Sequence, residues 1–131
     1  MKIAHIVRRF SFDEWGGTES VVWHIARQQK SQGLMPEILC TAALDKVGCE
    51  VVDGITIKRF PYFYPYFPMP AKDRLALDKK GGNPFSLSLL KALKNGNYDI
   101  FHIPEKRVLS KRFFFENIQH STTEVAFERI F

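Results

Sequence analysis

The sequence predicts an α/β fold built on a doubly wound, mostly parallel sheet with a β-hairpin insertion. Three observations support this prediction. A short apolar strand at residues 2–7 leads through a glycine pair into a helical pattern, a second apolar strand follows at residues 35–41, and an Asp-Gly turn then joins two further apolar runs. Strands that alternate with helical patterns are typical of parallel sheets whose faces are covered by helices.

The length and net charge of the chain limit the classes of partner that it is expected to bind. The chain has 131 residues, close to the commonest size of one domain, and carries a net charge of +5. Residues 72–99 hold six basic and three acidic side chains, so most of the excess is local. An excess this small does not indicate a nucleic-acid partner, whereas an anionic membrane surface or a phosphorylated substrate fits it at least as well.

The remaining composition favours a reducing compartment. The two cysteines form neither a disulfide framework nor a metal-ligand pattern. The N-terminal apolar run is too short for a signal peptide and is followed at once by Arg8 and Arg9. We therefore expect a cytoplasmic protein, with peripheral contact to the inner face of a membrane as an open alternative.

The first strand and helix build the site that the sequence singles out. Ile3, Ile6 and Val7 suit a central parallel strand covered on both faces. The pair Gly16-Gly17 then lets backbone approach a ligand at the start of a helix, where N–H groups and the helix dipole favour an anion. The helix is predicted over residues 18–32, with Gly33 as the left-handed residue after its end. This pattern indicates a nucleotide or sugar-phosphate site.

An irregular aromatic loop is predicted after the hairpin. Asp53-Gly54 between apolar runs is a strong hairpin signal, and four prolines in residues 60–70 exclude a helix interior or a central strand. The loop has three interpretations: it packs under the sheet, docks an acceptor sugar through ring faces, or contacts lipid. Nearby basic residues fit an anionic acceptor or headgroup, or form a solvated face; they are Lys72, Arg74, Lys79 and Lys80.

After the aromatic loop, the sequence predicts one more helix and one more strand. Gly81-Gly82 precede Asn83 as N-cap and Pro84 at the first helical position, and the helix is predicted to end before Gly96. Residues 98–103 read as another buried strand. No strand or helix is clearly predicted beyond Pro104.

Five segments in this order resemble the N-terminal half of a family 4 glycosyltransferase. They are MKIAHIVRRFS, EWGGTE, VDGITIKRFPYFYPY, KGGNP and YDIFHI. The resemblance implies that residues 1–103 form the Rossmann-like N-terminal half of a GT-B architecture. Residues 104–131 then form an atypical tail, and a truncated or frame-shifted gene product or poor order would explain it.

The resemblance also implies a function. The chain would be the acceptor-binding half of a retaining enzyme that uses a nucleotide-sugar as co-substrate, without a cofactor, and acts on a saccharide or lipid-linked acceptor. The donor-binding C-terminal domain lies outside this chain, so we expect no turnover by the chain alone. The alternative is a non-catalytic binding module, or a subunit that pairs with a separate donor-binding chain.

Site residues follow from both lines of reasoning. The resemblance assigns a loop facing the donor phosphates to Gly16, Gly17, Thr18 and Glu19. Glu19 has an equally supported interpretation as a partner of the helix dipole. Candidate cleft or acceptor residues are His102, Tyr62, Tyr64, Tyr66 and Asn83.

The histidines have structural interpretations as well. His102 is equally well explained as a hydrogen-bonded structural residue, and His5 is expected to be a hydrogen-bonded core residue. His24 is expected on the surface of the first helix. No residue is assigned a catalytic or metal-ligating role.

Overall fold

The computed structural model describes residues 1–13, 15–63, 71–80, 86–103 and 124–127. Its elements are, in chain order, β1 (Lys2–Arg9), α1 (Gly17–Ser31), β2 (Met35–Thr41), β3 (Gly48–Val52), β4 (Ile55–Phe60), α2 (Ala71–Lys80), α3 (Leu87–Asn95), β5 (Ile100–Ile103) and β6 (Glu124–Phe127). The predicted α/β class and the mostly parallel sheet are confirmed.

The sheet has six strands in the order β3-β4-β2-β1-β5-β6. All neighbouring strands are parallel except β3 and β4, which form the antiparallel hairpin. The chain moves outward from β1 through β2 to β4, and then crosses back to the other side of β1 at β5. This order is compatible with a Rossmann-like fold and places the topological switch point between β1 and β5.

The strand β1 is the centre of the core. Its six inner residues are all buried, and alternate side chains point to opposite faces of the sheet. One face packs with α1 in a cluster of Val7, Phe10, Val22, Trp23, Ala26, Ile38, Cys40, Ile55 and Ile57. The other packs with α3 in a cluster of Ala4, Ile6, Leu39, Leu89, Leu90, Leu93, Tyr98, Phe101 and Ile103. The predicted central strand is confirmed, although it continues to Arg9 rather than ending at Val7.

Two predicted chain reversals are confirmed by their backbone angles. The helix α1 is followed by Gly33 at a φ of +84°, and the N–H of Leu34 donates to the carbonyl of Gln29 at 3.0 Å. In the hairpin, Asp53 and Gly54 have φ values of +51° and +77°. Two successive positive φ values are the geometry that two-residue turns between antiparallel strands require.

The start of α3 corrects a prediction. The helix begins at Leu87, and Ser86 is its cap: the Ser86 Oγ accepts the N–H of Leu89 at 3.2 Å and donates to the Pro61 carbonyl at 2.7 Å. The prediction of Asn83 as the N-cap is therefore wrong, because the helix begins three residues later than it requires. Asn83 itself lies outside the described residues.

Two elements are not predicted by the sequence. The helix α2 occupies residues for which the sequence indicated only a charged face. The strand β6 pairs with β5, with Phe101 opposite Val125, so the expectation that residues 104–131 contribute no strand is wrong for these four residues. The domain boundary after residue 103 stays a prediction. Within the described ranges, no helix is long and apolar enough to cross a membrane.

Candidate ligand site at the carboxyl edge of the sheet

The parallel strands β1, β2, β4 and β5 all end at one edge of the sheet, which we call the carboxyl edge. Ligands of open α/β sheets bind outside this edge. The loop after β1 and residues 42–47 and 61–63 lie here. The Arg8 guanidinium at the end of β1 donates to the Leu77 carbonyl at 3.4 Å, which brings α2 to the same edge.

The N-terminus of α1 is already faced by a carboxylate of the chain. Glu19 is only 4% exposed, and its Oε2 lies 2.8 Å from the position that a Cβ on Gly16 would occupy. Its Oε1 lies 3.6 Å from an Arg9 guanidinium nitrogen. The side chain therefore folds back over Gly16 at the positive end of the helix, which is the geometry of a helix-dipole partner.

The next two residues are more accessible. Gly17 is exposed, Thr18 is partly exposed, and nothing in the described ranges lies within 4 Å of a Cβ built on Gly17. The structure thus leaves an approach to Gly17 and Thr18, whereas Gly16 is covered by Glu19. The assignment of all four residues to donor phosphates stays a prediction.

His102 is bonded to His5 inside the sheet. The two residues are paired in register, and their Nδ1 atoms lie 2.9 Å apart. His5 is fully buried, and its Nε2 lies 2.7 Å from the Gln29 Oε1 of α1. These contacts confirm that His5 is a hydrogen-bonded core residue.

The same contacts separate His102 from the glycine turn. Gln29 follows Gly17 by twelve positions in α1, which corresponds to about 18 Å along the helix axis. The structural interpretation of His102 is therefore the one that its contacts favour. His24 is exposed, as expected.

A pocket of about 550 Å³ lies at the carboxyl ends of β2 and β4. It is lined by Ala42, Leu44, Asp45, Val47, Pro61, Tyr62 and Leu75. Tyr62, a predicted acceptor residue, is thus brought to a pocket, whereas Tyr64, Tyr66 and Asn83 lie outside the described residues. Leu44 has a φ of +61°, which is uncommon for a residue with a side chain and marks strain in this wall.

The buried Arg59 forms an ion pair with Asp45, the acidic residue that lines the pocket. Arg59 is 6% exposed, and its Nε donates to the Phe10 carbonyl at 2.8 Å. The same nitrogen lies 3.5 Å from the Asp45 carboxylate, and Nη2 lies 3.0 Å from the Glu50 carboxylate. Sequence reasoning did not include Asp45 or Arg59 among the site residues, although Asp45 lies beyond the second predicted strand and Arg59 lies at the end of a later one.

Four aromatic rings form a cluster in the loop after β1. Phe10 is buried, Trp23 is nearly so, and Phe12 and Trp15 are each 42% exposed. The Phe12 and Trp15 rings are almost parallel, with centroids 5.5 Å apart, and each stands edge-on to Phe10 at 5.4 Å. The two exposed rings are therefore supported by buried ones.

Burial raises the pKa of two titratable groups among the described residues. Burial raises the pKa of the Cys40 thiol to about 12, although the Arg59 charge opposes the shift, so this thiol stays neutral at physiological pH. Burial also raises the pKa of Tyr98, and the Glu37 charge and hydrogen bond act in the same direction. Among the described residues, no group of three His, Cys, Asp or Glu side chains could hold a metal ion.

No family model matches this chain, and it has no match among curated proteins or solved structures.

Proposed function

We propose that this chain is the acceptor-binding half of a retaining, nucleotide-sugar-dependent glycosyltransferase. The observation that carries the proposal is the pocket of about 550 Å³ at the carboxyl edge, whose lining includes Tyr62 and Asp45. Its volume is in the range of small-molecule sites, and its position is where open α/β sheets bind ligands. The five sequence segments that resemble family 4 glycosyltransferases, within a GT-B architecture, support the same function.

The pocket chemistry suits a hydroxyl-rich acceptor. The Asp45 carboxylate accepts hydrogen bonds from sugar hydroxyls, and the Tyr62 phenol both donates and accepts. Val47 and Leu75 supply apolar surface for the C–H face of a sugar ring. Because Arg59 is buried against Asp45, the carboxylate is held in place before a ligand arrives. A saccharide, free or lipid-linked, is therefore the proposed acceptor class.

The donor would be held mainly by a separate C-terminal half. A diphosphate at the start of α1 could approach Gly17 and Thr18, but it would meet the Glu19 carboxylate over Gly16. The negative charges of the diphosphate and of the Glu19 carboxylate would repel each other. The chain alone therefore offers an incomplete site for the donor. We therefore expect no sugar transfer by the purified chain.

A second candidate function is a non-catalytic saccharide-binding module or subunit. The position of Glu19 favours it, because the anion-favouring end of α1 is already occupied by the chain's own carboxylate. Such a module binds a saccharide in the pocket and has no affinity for a nucleotide diphosphate.

The acceptor site is tested by saturation-transfer NMR of the full chain with a panel of mono- and disaccharides. We expect binding that falls at least about tenfold in Tyr62→Ala and in Asp45→Asn, since each removes a polar contact from the pocket. Asp53→Asn in the hairpin turn and Tyr98→Phe at the opposite edge are matched controls. Absence of saccharide binding, or binding that ignores both pocket substitutions, contradicts the proposal.

A thermal-shift screen against UDP-sugars, GDP-sugars and NAD separates the two candidates. Stabilisation by a nucleotide-sugar supports the transferase half, and saccharide binding without any nucleotide effect supports the binding module. Stabilisation by NAD alone contradicts both. Sugar transfer catalysed by the purified chain would overturn the expectation that it lacks turnover.

A further inference from the structure

Asp45 is the one charged residue among the described residues that line the pocket at the carboxyl edge. The other described lining residues are apolar, apart from Tyr62 with its phenol. A carboxylate set among apolar walls distinguishes ligands by their charge, because an uncompensated charge is costly where water is partly excluded. The charge of the acceptor is therefore a property that this pocket can select.

The Asp45 carboxylate keeps hydrogen-bonding capacity for a ligand. Its Oδ1 accepts the N–H of Lys46 at 2.8 Å, and its Oδ2 lies 3.5 Å from the Arg59 Nε, which is a long contact. A carboxylate offers about four acceptor positions, so these two partners leave about half of them. The Asp45 side chain is 27% exposed, so a ligand in the pocket can reach it.

The positive charge of Arg59 does not take the place of a cationic ligand. Its Nε donates to the Phe10 carbonyl at 2.8 Å, and its Nη2 lies 3.0 Å from the Glu50 carboxylate. One guanidinium thus faces the two carboxylates of Asp45 and Glu50, so the three side chains carry a net charge of −1. Arg59 is 6% exposed and does not line the pocket, whereas Asp45 does.

The turn before Asp45 fixes the backbone of this residue. The Asp45 N–H donates to the Ala42 carbonyl at 3.0 Å, which closes a turn over residues 42–45. Leu44 is the third residue of this turn and has a φ of +61°, a value that normally requires Gly or Asn. Strained residues concentrate at ligand sites, so the strain at Leu44 independently supports a ligand beside Asp45.

We propose that Asp45 determines the specificity of the pocket and selects an amino sugar, with a protonated amine, over neutral and anionic saccharides. An ammonium group donates up to three hydrogen bonds, and its bond to a carboxylate is stronger than that of a hydroxyl. An aromatic ring such as that of Tyr62 attracts a cation that lies over its face. A phosphorylated or uronic acid acceptor brings a second negative charge beside Asp45, which repels it. This inference rests on the proposed function, since it takes the pocket as the acceptor site.

The lysines of this edge do not reverse the preference. Lys46, Lys72 and Lys79 are exposed, and none of them lines the pocket. Water and salt screen exposed charges more than the partly buried charge of Asp45. Asp73 is an exposed carboxylate in the same helix as Lys72 and Lys79 and offsets part of their charge. The preference for an amine should therefore persist when salt is raised.

The test measures the binding of matched sugars to the full chain by NMR titration. Methyl glucosaminide has a charged amine at the carbon where methyl glucoside has a hydroxyl, and its N-acetyl derivative has an uncharged amide there. We expect methyl glucosaminide to bind at least about tenfold more tightly than either, and methyl glucuronide to bind most weakly. Raising the pH above the pKa of the ligand's amine should abolish the preference, a measurement that needs no variant.

Asp45→Asn keeps the shape of the side chain and removes its charge. We expect this variant to reduce the ratio of amino-sugar to neutral-sugar affinity to about one, beyond the loss expected for every saccharide. Asp73→Asn removes an exposed carboxylate outside the described lining and is the matched control, so it should keep the ratio of the parent chain. Lys72→Gln combined with Lys79→Gln should keep it as well. Circular dichroism checks that each variant is folded.

Two ring compounds separate this inference from the proposed function. The compounds trans-2-aminocyclohexanol and trans-cyclohexane-1,2-diol have the same ring with and without an ammonium group, and neither is a saccharide. If the amine is preferred through Asp45 while no saccharide binds, the proposed function fails and the charge selectivity of Asp45 holds.

The opposite results overturn the selectivity and leave the acceptor site standing. They are equal affinity for amino and neutral sugars, tightest binding of methyl glucuronide, and a ratio that is unchanged in Asp45→Asn. Absence of binding by the sugars and by both ring compounds overturns this inference and the proposed function together.

Discussion

At the N-terminus of α1, Gly16 and Glu19 depend on one another. Gly16 has an extended backbone, with a φ of −136°, so glycine is not required there for conformational reasons. The constraint is one of space: the Glu19 Oε2 lies 2.8 Å from the position of an added methyl group, so the end of this flexible side chain would have to move. The glycine therefore admits the chain's own carboxylate to the helix end.

We expect Gly16→Ala to lower the free energy of unfolding by about 1 kcal/mol, because the methyl group displaces the carboxylate from the helix dipole. Gly17→Ala is the matched control: it meets open space and should be neutral or stabilising by up to ~1 kcal/mol. Urea unfolding measures both. In a Glu19→Ala background the cost of Gly16→Ala should shrink, and an unchanged cost would contradict this coupling.

The buried Cys40 thiol makes the free energy of unfolding depend on pH in the alkaline range. Its pKa is raised from 9.0 to about 12 in the folded protein. Above pH 9 the unfolded chain loses a thiol proton that the folded chain retains, so the free energy of unfolding falls as pH rises, by at most ~1.4 kcal/mol per pH unit. The contribution is fully present below pH 9.

Urea unfolding across this pH range should therefore show a shallower decline in Cys40→Ala than in the parent chain. Cys49→Ala, which removes the exposed thiol, is the matched control. Tyr98 acts in the same direction above its own ordinary pKa, and Tyr98→Phe measures its share. Equal slopes in parent and Cys40→Ala would refute the assignment.

At the scale of elements, the cap of α3 links the helix to the carboxyl edge. We expect Ser86→Ala to lower the free energy of unfolding by about 1–2 kcal/mol, since it removes both the bond from the Leu89 N–H and the bond to the Pro61 carbonyl. Ser88→Ala changes an exposed serine of the same helix and should have little effect. Thermal unfolding followed by circular dichroism distinguishes the two, and similar losses would contradict the cap.

Local signals explain which elements the sequence could predict. The Asp53-Gly54 turn and Gly33 were identifiable because a positive φ demands particular residues at the turn itself. The helix α2 has no apolar periodicity, since its sequence AKDRLALDKK is mostly charged. The strand β6 has only four residues, and 20 residues of the chain lie between it and its partner β5. Neither element carries a local pattern that predicts it.

The sequence likewise indicated some residues of the candidate site and not others. Tyr62 was identified by its aromatic, proline-rich surroundings, and it does line the pocket. Asp45 and Arg59 were missed because they are distant in sequence and meet only when the loop after β2 folds against β4. The interpretation of Glu19 as a partner of the helix dipole was available from its place in the first turn of α1, whereas its contact with Gly16 depends on the side-chain conformation.

At the scale of the whole molecule, stability is expected to decrease from the centre of the sheet to its edge. The strand β1 is buried on both faces and flanked by β2 and β5. Among the described strands, β3 is mostly exposed and pairs with β4 alone. In native-state hydrogen exchange, the amides of Ile6 and Val7 should exchange at least about tenfold more slowly than those of β3. Similar rates in the two strands would show that the molecule opens only as one unit.

The contact between His5 and His102 bears on which ring nitrogen of each histidine carries a hydrogen. When both rings are neutral, donation to the Gln29 Oε1 puts the ring hydrogen of His5 on Nε2 and makes its Nδ1 a hydrogen-bond acceptor. The 2.9 Å contact then places a hydrogen on the Nδ1 of His102. One amide on the surface of α1 thus selects opposite tautomers for two imidazoles in adjacent strands, and ¹⁵N chemical shifts of the two rings would reveal the pair.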